Sequence, residues 1–188
     1  MAASPTPARQ FDVDGRGVWV FDGLLPDVAA HVAALDRAPF TRTEVARPDT
    51  AAFRHWVNEI PVEILQRHPL QAVTLAAVSV ARPDHPYRAY RAYTNHATFG
   101  DMLFSHTDCL PDQHDLTALW FMCVDWDVEW GGETTFFDER GEIACAVLPR
   151  PGRLVVFDGA IRHVGRPPSR ICPVPRYTLA LKLEPRRA

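Results

Sequence analysis

A double-sheet jelly roll with helices packed on its outside is the fold the sequence predicts. Three observations carry that expectation. From Tyr87 onward, short apolar or alternating runs are separated by turn residues at close intervals. No helix-length segment lies between these runs, so their sheets should be antiparallel. Helical signals are confined to the first third of the chain, and no repeat or linker divides the halves, so the helices should pack on a single β-domain.

Taken in order, residues 1–10 read as a disordered leader and 11–188 as one domain. Within it, 11–86 is expected to be a mainly helical bracing region and 87–188 the β core. Pro26 sits where a first helical turn would begin, with Asp22 or Leu25 just ahead of it. Asp27–Ala38 then places Val28, Val32 and Leu35 on one stripe until Pro39 stops the helix. A second helix is expected over Val62–Arg67. A third should run from Leu70 to about Val80 before Pro83, although Val73, Val78 and Val80 suit a strand equally well. The expected strands are Tyr87–Thr94, Thr117–Val124, Thr134–Phe137, Ile143–Leu148, Leu154–Phe157 and Tyr177–Leu183. Turns fall at Gly131-Gly132, Glu139-Arg140-Gly141, Pro149–Gly152 and Asp158-Gly159.

Composition narrows the function classes. The chain has 188 residues, 47% hydrophobic and 23% charged, with a net charge of -3. That is ordinary for a globular domain and gives no basic footprint for nucleic acid. The two arginines in Pro185–Ala188 read as a solvated end. No apolar stretch reaches the roughly 20 residues of a membrane span, and the N-terminus lacks the apolar core of a secretory signal. Cys109, Cys123, Cys145 and Cys172 are widely spaced without a Cys-x-x-Cys pair, which fits reduced thiols in a cytoplasmic protein.

The chemistry concentrates in His106-Thr107-Asp108. On a strand, residues two apart share a face, so both side chains can reach one point inside a barrel. A histidine and a carboxylate, completed by a second histidine, make the facial triad of non-haem iron sites, which leaves coordination positions open. His163 is the candidate for that place, since it follows the apolar run Leu154–Phe157 and a turn. His85, His96 and His114 compete, but read as loop histidines exposed to water. Arg176 opens the last strand with Thr178 on its face, while Tyr177, Leu179 and Leu181 take the other. An arginine fork beside a hydroxyl can grip a carboxylate in a bidentate way.

The order of Arg91–Asn95, His106-Thr107-Asp108, Val124-Asp125-Trp126, Gly131–Thr134, Pro151–Phe157, His163 and Arg176-Tyr177-Thr178 resembles the iron(II)/2-oxoglutarate-dependent oxygenase superfamily, in particular its prolyl-4-hydroxylase-like branch. The resemblance spans about half of the chain, Arg88 to Leu183. It implies a double-stranded β-helix of cupin-like, jelly-roll type. It also implies His106, Asp108 and His163 as catalytic iron(II) ligands, with 2-oxoglutarate and dioxygen as cosubstrates and Arg176 and Thr178 on the distal carboxylate. Tyr93 is implied as a further hydroxyl donor to 2-oxoglutarate, a packed aromatic being its other reading.

Two departures stand out. Phe121 lies on the strand where relatives often carry a tyrosine for the keto acid. The gap from His163 to Arg176 is also longer than usual, and the extra residues, Pro167–Pro173, form an expanded loop in which Arg170 is a rival to Arg176. The implied reaction is hydroxylation of an unactivated C–H bond of a small molecule or amino acid, releasing succinate and carbon dioxide. A peptidyl, prolyl-type hydroxylase is the alternative, with nucleic acid not expected as a partner. Outside the class stand a cupin-like metal hydrolase or isomerase and an inactive binding module.

Overall fold

The computed structural model describes residues 4–186. In chain order these form β1 (Arg9–Val13), β2 (Arg16–Phe21), α1 (Val28–Leu35), β3 (Thr41–Glu44), β4 (His55–Ile60), α2 (Val62–Leu65), α3 (Pro69–Ala81), β5 (Tyr87–Ala97), β6 (Leu116–Met122), β7 (Thr134–Phe137), β8 (Ile143–Val147), β9 (Leu154–Asp158), β10 (Arg162–Gly165) and β11 (Arg176–Pro185). Eight strands make one sheet in the order β1-β2-β9-β6-β11-β5-β4-β3, and three make a second, β10-β7-β8. Neighbours pair antiparallel throughout, including β11 with both β5 and β6. The fold is the expected jelly-roll type, a double-stranded β-helix.

Side-chain alternation sorts the large sheet into two faces. On β6, Leu116, Ala118, Trp120 and Met122 point to the helices, while Leu119 and Phe121 point between the sheets. β11 does the same with Tyr177, Leu179, Leu181 and Leu183 on the helix side and Ala180 on the inner side. Both faces are buried, so these strands are apolar on both sides instead of amphipathic. The inner core continues onto the small sheet through Phe136, whose ring meets Phe157 edge-to-face at 5.0 Å. Burying each such aromatic or leucine stabilises the fold by about 1.5–3 kcal/mol.

Several expectations need correcting. The region 11–86 is not mainly helical: β2, β3 and β4 lie wholly within it, and β1 and β2 extend the large sheet past β9. The signal of β3 is weak because it is a polar edge strand, Thr-Arg-Thr-Glu, whereas β2 carries the apolar run Val18–Phe21, a strand signal that the expectation of helices passed over. The expected leader is shorter, since Arg9 and Gln10 already pair with Val20 and Trp19. Residues 1–3 of that leader, and 187–188 of the basic end, lie outside the described residues. The cap of α1 is Asp27, whose carboxylate accepts from the Ala30 amide at 3.4 Å. Asp22 is instead engaged by Arg153 at 2.7 Å. The ambiguous third segment is a helix, because Leu70, Thr74, Ala77, Val78 and Ala81 fall on one buried stripe against the sheet.

Candidate metal and cosubstrate site

His106 and Asp108 lie on no strand. They belong to the loop after β5, and a single bridge to β10 holds them there. His106 and His163 exchange backbone hydrogen bonds at 3.0 and 2.9 Å, and the Asp108 amide donates to the Gly159 carbonyl at 2.7 Å. Loop 98–108 is braced further by Arg47, which donates to the Ser105 carbonyl, and by the Phe53–Phe104 ring pair at 5.2 Å. The expected strand period is therefore not what brings the two side chains together; the loop and its bridge to β10 do.

Together the three side chains form one cluster whose donor atoms all lie within 4.8 Å of one another. His106 Nε2 is 3.4 Å from Asp108 Oδ1, and His163 Nε2 is 3.6 Å from Oδ2. Each imidazole turns Nδ1 onto a backbone carbonyl, His106 onto Phe104 at 3.1 Å and His163 onto Ile161 at 2.9 Å. A carbonyl can only accept, so Nδ1 carries the proton and the Nε2 lone pair faces the cluster. Burial pushes His163 down to about 4, against the pull of Asp108, so it is neutral at ordinary pH. Burial raises the Asp108 carboxyl, but the Lys182 ammonium beside it outweighs this and holds the group well below its ordinary value. Two imidazoles and one carboxylate are a fitting donor set for a divalent first-row metal.

Arg176 enters the same interior from the start of β11 and is buried, with 4% exposure, whereas Arg170 is exposed in its loop. Its Nε donates to the Gly132 carbonyl at 2.6 Å and Nη2 to the Thr134 hydroxyl at 2.9 Å. Two glycines make room for it. A Cβ on Gly132 (φ 74) would meet Trp126 at 2.9 Å and Arg176 Cδ at 3.3 Å, and one on Gly165 would meet the guanidinium at 3.2 Å. Phe121 lies under the guanidinium at 5.1 Å. Burial pushes Arg176 down to about 10, with Glu133 opposing, so it remains a cation at neutral pH. Thr178 is buried on the same face, opposite Asn95 of β5 and Phe121 of β6.

Tyr93 lies buried beneath the Arg91 guanidinium, 4.2 Å from its ring centroid, and 5.7 Å from Lys182 Nζ. Trp120 is core, donating to Thr74 at 2.9 Å, and Trp126 donates to the Gly131 carbonyl at 2.9 Å. His85 and His114 are exposed as expected, but His96 is not: it lies on β5, packed against Phe40 and Tyr177 and away from the triad.

Beside the triad opens a cavity of about 250 Å³, walled by Glu44, His55, Tyr90, Arg91, Asn95 and Lys182 among others. Buried there, His55 Nε2 and Asn95 Oδ1 have no hydrogen-bond partner among the described residues. Arg91 and Asn95 bound a run that carries the family resemblance, whereas Glu44, His55, Tyr90 and Lys182 stand in no motif. Lys182 could have been found: it lies six residues beyond Arg176 on the same face of an apolar strand, and it is the only lysine in the chain.

An antiparallel jelly roll carrying a His-Asp-His cluster and a buried arginine fits a metal-dependent enzyme of the oxygenase type. Residues 90–181 match the 2OG-Fe(II) oxygenase superfamily. The chain belongs to that superfamily and is a 2-oxoglutarate-dependent, non-haem iron dioxygenase. It is similar in fold to a Pseudomonas putida prolyl-4-hydroxylase (18% identity, 92% of this chain and 94% of that one, TM-score 0.64). It is also similar to a Trichoplax adhaerens prolyl hydroxylase in complex with a hypoxia-inducible-factor peptide fragment (15%, 89% and 83%, TM-score 0.66). A third is HygX from Streptomyces hygroscopicus with nickel and 2-oxoglutarate bound (14%, 92% and 84%, TM-score 0.65). No curated protein matches by sequence. Among the described residues, no helix is long and apolar enough to cross a membrane.

Proposed function

We propose that His106, Asp108 and His163 hold the iron(II), that Arg176 and Thr178 hold the distal carboxylate of 2-oxoglutarate, and that the enzyme hydroxylates a small polar molecule such as an amino acid. The bound metal supplies oxygen activation coupled to decarboxylation of the keto acid to succinate and carbon dioxide. The protein's own task is to orient both partners. Nδ1 contacts fix the imidazoles, the dry guanidinium of Arg176 anchors the keto acid, and the surrounding barrel limits water.

The observation that carries the substrate reading is the cavity beside the triad. It is small, and its walls offer both charge signs and the free His55 and Asn95 atoms, a lining suited to a hydrogen-bonding molecule. Tyr93 supports a wall of this cavity more than a cosubstrate contact, since Arg91 and Lys182 flank its ring. The four cysteines are free thiols, which supports a cytoplasmic enzyme. The barrel and helices are proposed to act as one domain, because the inner and helix-side cores share the strands of one sheet.

The test is succinate release with iron(II) and 2-oxoglutarate, first alone and then with free amino acids and with proline-containing peptides. Stimulation by amino acids is expected. Stimulation by peptides alone would shift the assignment to a peptidyl hydroxylase, and absence of keto-acid turnover under every condition would overturn the site roles.

A further inference from the structure

The chain has 19 arginines and one lysine, and that lysine is buried against a residue of the triad. Lys182 is 7% exposed on the inner face of β11, and its ammonium is paired with Asp108 Oδ2. It also donates to the Thr117 hydroxyl at 3.2 Å, and Thr117 in turn donates to the same Oδ2 at 2.5 Å. One oxygen of Asp108 is therefore held twice, from adjacent strands paired at Lys182 and Thr117. The other oxygen, Oδ1, takes neither bond and lies 3.4 Å from His106 Nε2, while the doubly held Oδ2 lies 3.6 Å from His163 Nε2.

We infer that Lys182, with Thr117, is a positioning residue for the metal site. It fixes the Asp108 carboxylate through Oδ2 and presents Oδ1 alone to the metal, so that Asp108 binds through one oxygen and neighbouring coordination positions stay open for the keto acid and dioxygen. A lysine suits the place. Its ammonium is a compact charge at the end of a flexible stem, whereas the planar fork of an arginine would bind both carboxylate oxygens side by side. That would occupy the oxygen the metal needs. A lysine retained here, in a chain that uses arginine everywhere else, fits this geometric demand.

The inference rests on Asp108 being a metal ligand, and the experiment separates the two. Co(II) affinity and the visible spectrum of the Co(II)-loaded protein are measured for wild type, Lys182→Met, Thr117→Val and Asp108→Ala. If Asp108→Ala binds Co(II) like wild type, the ligand assignment fails and the inference falls with it. With that assignment intact, positioning predicts weaker binding in Lys182→Met by roughly 10- to 100-fold, the usual loss when a partner of a ligand is removed. Thr117→Val, which leaves every charge in place, should weaken binding in the same direction by a smaller factor. Both spectra should change as the released Oδ2 swings towards the metal. A mere counter-ion predicts otherwise: Lys182→Met would bind Co(II) as tightly or more tightly, because a repelling cation has gone, with an unaltered spectrum. Should Lys182→Met fail to fold, Thr117→Val decides alone, and wild-type affinity and spectrum in that variant overturn the inference.

Discussion

Two buried cations sit on the same face of β11, six residues apart, and their surroundings are opposite. Lys182 faces a carboxylate, and although burial works against its charge, Tyr93 and Asp108 hold it above its ordinary range. Arg176 hydrogen-bonds to neutral dipoles, a carbonyl and a hydroxyl, and burial pushes it down to about 10 although the Glu133 carboxylate opposes this. One charge is matched within the protein and the other is left over. An unmatched guanidinium in a dry barrel is costly to keep unless something outside the chain supplies the anion, and a dicarboxylic keto acid does so. On the proposed roles, the two ends of one strand divide the work: the Lys182 end would serve the ligand set, and the Arg176 end a bound anion.

The largest expected effect tests the matched end. Removing one partner of a buried pair strands the other, so Lys182→Met should destabilise the metal-free protein by about 3–5 kcal/mol in chemical denaturation. The double variant Asp108→Leu with Lys182→Met should recover most of that loss, since an apolar pair of similar volume can replace a buried ion pair. Arg176→Met should behave differently. It removes an unmatched charge but leaves Gly132 and Thr134 short of a partner, so its net effect should be on the order of 1 kcal/mol. Equal losses at the two ends would dissolve the contrast.

The next effect tests the unmatched end with its ligand. Arg176→Ala should weaken 2-oxoglutarate binding by about 2–4 kcal/mol, roughly 30- to 1000-fold, and leave Co(II) affinity nearly unchanged. Arg170→Ala, exposed in the expanded loop, should leave both unchanged. Calorimetric titration of the metal-loaded proteins reads this directly. A larger effect at Arg170 would reverse the assignment.

How much of this was legible beforehand depended on which residues announce themselves by pattern. The triad and Arg176 did, because ligand types at short spacing and an arginine opening an apolar strand are local signals. The face of each β11 residue followed from the two-residue period. Strand β3 did not show, since a polar edge strand is specified by its pairing partner more than by its own sequence, and neither did β4, His-Trp-Val-Asn-Glu-Ile, which is paired on both sides but mixes polar and apolar residues. The Asp108 clamp was also out of reach. Thr117 and Lys182 lie 65 positions apart and meet only through the pairing of β6 with β11. His96 misled for a related reason: extended to Ala97, β5 carries it into the helix-side packing instead of a loop.

A pH series extends the comparison to the ligands. In the metal-free protein His163 takes up its proton near pH 4, but in the unfolded chain near its ordinary 6.5. Between those values the unfolded state binds more protons, so stability should fall as the pH drops from about 6.5 towards 4. Asp108, whose folded value is depressed, adds a further loss in the same direction below its ordinary 3.8. Melting temperatures across that range check the sign. A flat profile would mean that His163 titrates alike in both states and is not held dry and neutral in the folded protein.

The smallest effect concerns Thr178, which separates anchoring by charge from anchoring by hydroxyl. Thr178 is 1% exposed and shares the inner face with Arg176, while Phe121, opposite it on β6, has no hydroxyl to offer. If the carboxylate of 2-oxoglutarate lies between them, Thr178→Val removes one hydrogen bond and keeps the β-branched shape. Such a bond is worth about 0.5–1.5 kcal/mol, so the keto acid should bind roughly 2- to 10-fold more weakly. Denaturation of the ligand-free protein should change far less, because valine fills the same space on a strand that favours it. The pairing with Arg176→Ala makes the result informative. In the absence of the guanidinium the carboxylate is no longer fixed beside residue 178, so the two losses should be less than additive. Full additivity would place the hydroxyl and the guanidinium on different parts of the ligand, and an unchanged affinity in Thr178→Val would leave Arg176 to hold the carboxylate without it.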